Sequence, residues 1–119
     1  MSTGVSIQVL GQLRGGVFTP AASQECSCFD AERIAVGSRS WSVPGIVLAD
    51  STVSPRHAVI SQEGGRWVVR DLESDNGICA IEATGSGWTP GRAAAALEFE
   101  EELHCCVGAV VLRLRATRG

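Results

Sequence analysis

The sequence contains no lysine and no tyrosine: all ten basic residues of the 119 are arginine, set against thirteen aspartates and glutamates for a net charge of −3. Without a basic surplus it is a poor nucleic-acid binder, because duplex binding depends on excess positive charge to neutralise phosphates. Long apolar runs are also missing. No stretch approaches the roughly 18 residues of a membrane span, and the opening MSTGVSIQVLGQLRGG lacks the basic start and apolar core of a signal peptide. Cysteine is present but poorly arranged. Cys26, Cys28, Cys79, Cys105 and Cys106 are odd in number and match no secreted disulfide framework. A zinc site drawn from Cys26, Cys28, His104, Cys105 and Cys106 has no Cys-x2-Cys spacing behind it. Reduced, packing cysteines with no metal and no cofactor are the expectation. The length suits one hydrophobic core, hence one domain over residues 1–119.

What the sequence does have is short Val- and Ile-rich segments punctuated by Gly, Ser, Asp and Pro, the pattern of a sandwich of short strands. Val5, Ile7 and Val9 alternate with Ser6 and Gln8, the period of a strand with one buried face. Gly11 to Gly16 reads as a turn, Val17-Phe18-Thr19 as the start of a returning strand, and Pro20 to Asp30 as a loop leading to Arg33–Val36. Ile46-Val47-Leu48 suits a short core strand. Ala58–Ser61 and Arg66–Arg70 flank Gly64-Gly65, the strongest hairpin signal present. Ile78–Ile81 and Ala109–Leu114 complete the strands. Period-2 placement predicts burial of Ile34, Val36, Ile46, Leu48, Ala58, Ile60, Val69, Leu72, Val110 and Leu112. Against the all-β pattern, RAAAALEFEEELH over residues 92–104 has helical composition, with Leu97 and Phe99 as inward residues, and the alanines of 93–96 also suit a pliant loop; helix, loop and strand all stay open for this segment.

Chemistry-bearing constellations are few. Ser54, His57 and Asp71 are the residue types of a hydrolytic triad, but Ser54 and His57 lie three apart around Pro55 with no G-x-S-x-G elbow and no marked oxyanion hole. No catalytic residue is assigned. The Gly-rich pieces LRGG and ATGSG lack the lysine and spacing of a phosphate-binding loop. Trp41, Trp67 and Trp88 are candidate ligand platforms; Trp67 falls at a strand position and reads as core, and Trp88, in a Gly-rich loop, reads as exposed.

From Ile34 to Gly77 ordered motifs accumulate: Val36-Gly37, Ile46-Val47-Leu48-x-Asp50, Ser54-x-x-His57-Ala58, and Trp67-x-Val69-x-Asp71-Leu72-x-Ser74-x-Asn76-Gly77. Glu102-Leu103 and Val107-Gly108 follow before the last strand. Together they resemble the forkhead-associated (FHA) domain family over nearly the whole chain. The resemblance implies an all-β sandwich of about eleven short strands (SMAD/FHA-like), whose loops at one end bind phosphothreonine peptides without catalysis. It implies a phosphopeptide-like site at Ser38, Arg39, Ser54, Arg56, Asp75 and Asn76, with Gly37, His57 and Gly77 as structural motif residues. A hydroxyl such as Ser54, loop N–H groups and a guanidinium suit phosphate oxygens, and Asn76 suits a peptide main chain.

The departures from the pattern carry equal weight. The family's Arg after Gly37 is Ser38, with Arg39 displaced by one position, and strand alternation aims Arg39 away. The position after Ser54 is Pro55, and Asp75 with Glu73 sets negative charge beside an incoming phosphate. Gly37-Ser38, and Gly11-Gln12-Leu13-Arg14-Gly15 read as G-x-x-R-G, are similar to the cytoplasmic FHA-like domain of the YscD-like inner-membrane ring proteins of type III secretion. That resemblance implies a non-enzymatic assembly module on the cytoplasmic side of the bacterial inner membrane, self-associating in a ring or contacting cytoplasmic secretion components, with a degenerate phosphothreonine site. It also implies an N-terminal fragment ahead of a transmembrane helix, with the membrane reached only through a tether beyond residue 119 and Arg113, Arg115 and Arg118 preceding it. No nucleic acid is expected as a partner. The alternative is a genuine phosphothreonine-binding FHA domain in cytoplasmic signalling.

Overall fold

Alternation of apolar and polar residues builds two facing sheets in the computed structural model, which describes residues 3–29, 33–84 and 87–118, with side chains at 4–21, 24–28, 33–82 and 91–117. One sheet has β1 (Thr3–Arg14), β2 (Val17–Phe29), β7 (Ile78–Thr84), β8 (Gly87–Ala94), β10 (Glu102–Val107) and β11 (Val110–Arg118), in the order β2-β1-β11-β10-β7-β8. The other has β3 (Arg33–Gly37), β4 (Gly45–Val47), β5 (Ala58–Glu63), β6 (Arg66–Asp71) and β9 (Ala96–Phe99), in the order β4-β3-β5-β6-β9. Every pairing is antiparallel except β3 with β4.

The inner faces make the core. Val5 and Ile7 of β1 meet Ile34 and Val36 of β3, Ile60 of β5, Val69 of β6 and Leu112 and Leu114 of β11 in one buried cluster. Burying each such side chain stabilises by about 1.5–3 kcal/mol before entropy is counted. Of the ten residues expected inside, nine are buried; Leu72 is half-exposed, because it follows the end of β6 where the chain leaves the sheet. Trp67 is core, as expected. The side chain of Trp88 lies outside the described residues, as does that of Arg118.

Three local expectations are corrected. Of the loop expected over Pro20 to Asp30, Pro20 to Phe29 belongs instead to β2, paired with β1 from Arg14↔Val17 to Gly4↔Phe29, and Asp30 lies outside the described residues. Its Ala, Ser and Gln content has weak strand preference, which a long partner strand overrides. The turn expected over Gly11–Gly16 contracts to Gly15-Gly16, and Gly11 instead marks the register shift between Val9 and Gly11 along β1. Residues 92–104 are neither helix nor loop but the end of β8, β9 and the start of β10. Leu97, Phe99, Leu103, Cys105 and Val107 all turn toward the core. That is a period of two with one break at the Glu100-Glu101 turn, and it outranks the helical composition.

The cysteines of the zinc site weighed and set aside above are not brought together. β2 and β10 are separated by β1 and β11, which puts their axes about 14 Å apart at the usual strand spacing. Adjacent Cys105 and Cys106 face opposite sides of their sheet, one in the main core and one in a small cluster with Ile81 and Val111. Burial pushes the Cys105 thiol far up and that of Cys106 to about 12.

Candidate functional site

Both sheets send their connections to one end, where the β3–β4, β4–β5 and β6–β7 segments and the β10–β11 turn converge. Backbone bonds lock them together. Ser38 N donates to Ser54 O (3.0 Å), His57 N to Val36 O (3.0 Å), Leu72 N to His57 O (2.9 Å) and Gly108 N to Gly77 O (3.1 Å). Gly37 is required by close approach: a Cβ there would overlap the Pro55 carbonyl oxygen.

His57 is the pin of this end. It is fully buried, its Nδ1 accepts from Ser54 N (3.0 Å), and its Nε2 lies 2.8 Å from Gly77 O. A carbonyl only accepts, so Nε2 carries the proton and Nδ1 the lone pair. With both ring nitrogens committed to backbone, none is left to take a proton from Ser54. The hydroxyl of Ser54 instead accepts from Asp75 N (3.2 Å), while Asp71 sits 3.8 Å from Nε2 and takes the Ser74 hydroxyl. The triad geometry is not formed.

Of the residues assigned from the sequence, Ser38, Ser54, Asp75, Asn76 and Gly77 are therefore gathered at one end by direct bonds. Asn76 Nδ2 donates to Thr52 O (2.8 Å), and Gly77 N donates to Ser74 Oγ (2.8 Å). Arg39 is exposed in the segment after β3, which ends at Gly37, so strand alternation does not govern its direction as expected. Arg56 is exposed and its guanidinium carbon lies 4.9 Å from the Trp41 ring centroid. Glu73 has φ 58°, an αL conformation that a non-glycine residue adopts at some cost.

Sequence reasoning missed the support beneath this end. Asp50, with its side chain 3% exposed, accepts from Gln12 Nε2 (2.8 Å), Arg14 Nη2 (2.7 Å), Thr52 N (2.9 Å) and Thr52 Oγ1 (2.6 Å). Burial works to raise its pKa, but the Thr52 hydroxyl and amide and the Arg14 guanidinium outweigh it and hold the carboxyl below its usual range. Thr52 Oγ1 also accepts from Ala109 N (2.9 Å). The β1–β2 hairpin, the β4–β5 segment and the β10–β11 turn thus share one node. Arg14 and Asp50 each belonged to a recognised motif, but nothing in the order of residues pairs positions 36 apart. Among the described residues no cluster of three metal-ligating side chains occurs.

The FHA domain family model matches residues 34–81. Among solved structures, the chain is similar to the Mycobacterium tuberculosis Rv1747 FHA-1 domain, at 16% identity over 99% of this chain and 100% of that one, with a TM-score of 0.70. The FHA domain of the CT664 protein from Chlamydia trachomatis aligns at 23% identity over 94% and 96% of the two chains, TM-score 0.63. An FHA domain from a study of phosphothreonine-dependent FHA interactions aligns at 16% identity over 98% of each chain, TM-score 0.62. At these identities the likeness is one of fold, an FHA-type β-sandwich. Comparison with curated protein sequences finds no match.

Proposed function

We propose, from an FHA-type sandwich whose residues 34–81 match the FHA family model, that this chain is a non-enzymatic protein–protein interaction module with a worn phosphothreonine site. More finely, we read it as the cytoplasmic domain of a YscD-like inner-membrane ring component of type III secretion, tethered on the cytoplasmic side of the bacterial inner membrane. The observation that carries the first part is the closure of the loop end upon itself. Ser38 replaces the phosphate-facing arginine, its N–H is spent on Ser54 O, Ser54 Oγ accepts from Asp75 N, and Asn76 is engaged with Thr52. A phosphate of charge about −1.5 to −2 needs a guanidinium at close range, since a hydroxyl alone offers little more than water does. The ring assignment rests on Gly37-Ser38 and the G-x-x-R-G element of residues 11–15.

Photo-crosslinking in cells tests this reading. A photoreactive residue replaces the exposed Val43 or Arg39 in the full native gene product. Crosslinks to a second copy or to a cytoplasmic secretion component, in the inner-membrane fraction, are expected; a soluble protein with no apex crosslinks contradicts it. The second reading, a working phosphothreonine reader, is favoured by the presence of Ser54 and Asn76 at one end. Calorimetric titration with a degenerate phosphothreonine library decides between them. Low-micromolar binding lost on Ser54→Ala supports the reader; binding only after the double change Ser38→Arg and Asp75→Thr supports the worn site.

A further inference from the structure

Arg14, Arg66, Arg70 and Arg113 each meet a carboxylate, whereas Arg39 and Arg56 at the loop end meet none among the described residues. The two differ in how they are held. Arg39 has no described side-chain partner. Arg56 lies over Trp41, 4.9 Å from the ring centroid, and the indole is itself anchored by Nε1 donating to Val36 O at 3.2 Å. The ring also packs on Gly37, its Cδ1 3.1 Å from where a Cβ would stand. The backbone carrying Arg56 is fixed on both sides, through Ser38 N to Ser54 O and His57 N to Val36 O. A long side chain that normally loses rotamer freedom on binding is therefore partly ordered in advance, with its fork oriented by the ring.

The groups around it select among anions. The loop donors that a phosphate's three oxygens would use are engaged with one another, at Ser38 N, Asp75 N, Asn76 Nδ2 and Gly77 N. Among the groups left are the guanidinia of Arg39 and Arg56, of which Arg56 is the one held by an indole; a planar guanidinium matches a planar carboxylate in a bidentate pair. Glu73 and Asp75, both exposed on the segment between β6 and β7, repel an anion, and by Coulomb's law both that repulsion and the guanidinium's attraction are about twice as large for a dianion as for a monoanion. The cost of taking an anion out of water grows with the square of its charge, so a single carboxylate is the anion that one guanidinium can compensate once the other loop donors are engaged.

We propose that Arg56, oriented by Trp41, is the contact residue of this end, and that its ligand is the side-chain carboxylate of an aspartate or glutamate in an extended segment of the partner protein. This rests on the interaction-module reading and names its ligand. Arrayed nonapeptides with a central aspartate, with asparagine and phosphothreonine twins, are titrated against the chain by fluorescence anisotropy. Aspartate peptides are expected to bind at least about ten-fold more tightly than asparagine twins, and Arg56→Ala and Arg56→Lys each to weaken them by at least about ten-fold. Trp41→Leu should weaken binding about three- to ten-fold by freeing Arg56, while Arg39→Ala changes it by less than about two-fold. The Arg56 Nε–H resonance should shift on adding the aspartate peptide, and thermal scans should show Arg56→Ala folded as the parent is.

No aspartate-dependent binding anywhere on the array, or binding indifferent to Arg56→Ala, overturns the proposal. So does tightest binding by the phosphothreonine twins with dependence on Ser54. If the array is silent while apex crosslinks persist in cells, only the ligand assignment fails; if the crosslinks are absent as well, the module reading fails with it.

Discussion

His57 shows how one side chain can organise a surface it never touches. It bridges Ser54 N and Gly77 O from full burial, so its removal leaves Ser54 N unpaired, leaves Gly77 O with Gly108 N as its one donor, and opens a cavity beneath the loops. His57→Ala is expected to cost about 2–4 kcal/mol in urea unfolding, combining lost bonds and lost packing. A cost under about 0.5 kcal/mol would mean that the loops hold without the pin. The same residue explains why the Ser-His-Asp ingredients do not add up to a nucleophile: tautomer and partners are both set by the backbone.

β9 is where composition and placement disagree most. Leu97 to Phe99 pairs with Val69 to Trp67 along the free side of β6, and Phe99 packs into the core at 6% exposure while Glu98 and Glu100 meet Arg66 outside. A helix over these residues would forfeit the β6 ladder bonds for the sake of propensities worth only tenths of a kcal/mol per residue. Phe99→Ala should cost about 3–5 kcal/mol in the same unfolding assay. A change below about 1 kcal/mol would show that β9 is only loosely attached. On the β5–β6 side, Gly64 and Gly65 have φ of 59° and 82°, which accounts for the legibility of that hairpin.

Stability of the whole molecule should weaken in acid. Asp50, Glu63 and Glu102 all titrate below their ordinary range, Glu63 chiefly through Arg70 and Glu102 chiefly through Arg113. With folded values depressed, the unfolded chain binds protons first as pH falls. Their contribution is complete above the unfolded carboxylate values near pH 4 and is lost as pH drops through the lower folded values. Thermal scans from pH 6 to pH 2 should show a falling midpoint. Asp50→Asn should be less stable than the parent at pH 7, with the gap closing toward pH 2; a constant gap would mean that the Asp50 charge contributes nothing. On the ring reading proposed above, the isolated chain is expected to sediment as a monomer at micromolar concentration, because a tether would supply the effective concentration that weak ring faces require. A tight, discrete oligomer would contradict that.

By itself the sequence determined the all-β class, most of the core and the identity of the loop-end residues, because period-2 burial and turn glycines are local signals and Ser54-x-x-His57 and Asp71–Gly77 are short spaced motifs. It was silent or misleading wherever pairing decided the outcome. β2 and β9 are strands because β1 and β6 offer them hydrogen bonds, whatever their own preferences. Only the tertiary structure joined Arg14 to Asp50, 36 positions apart, and laid Arg56 over Trp41. It alone turned Ser54, Asp75 and Asn76 onto neighbouring loops, because hydrogen bonds between segments distant in sequence depend on how two sheets stack, and no single segment encodes that.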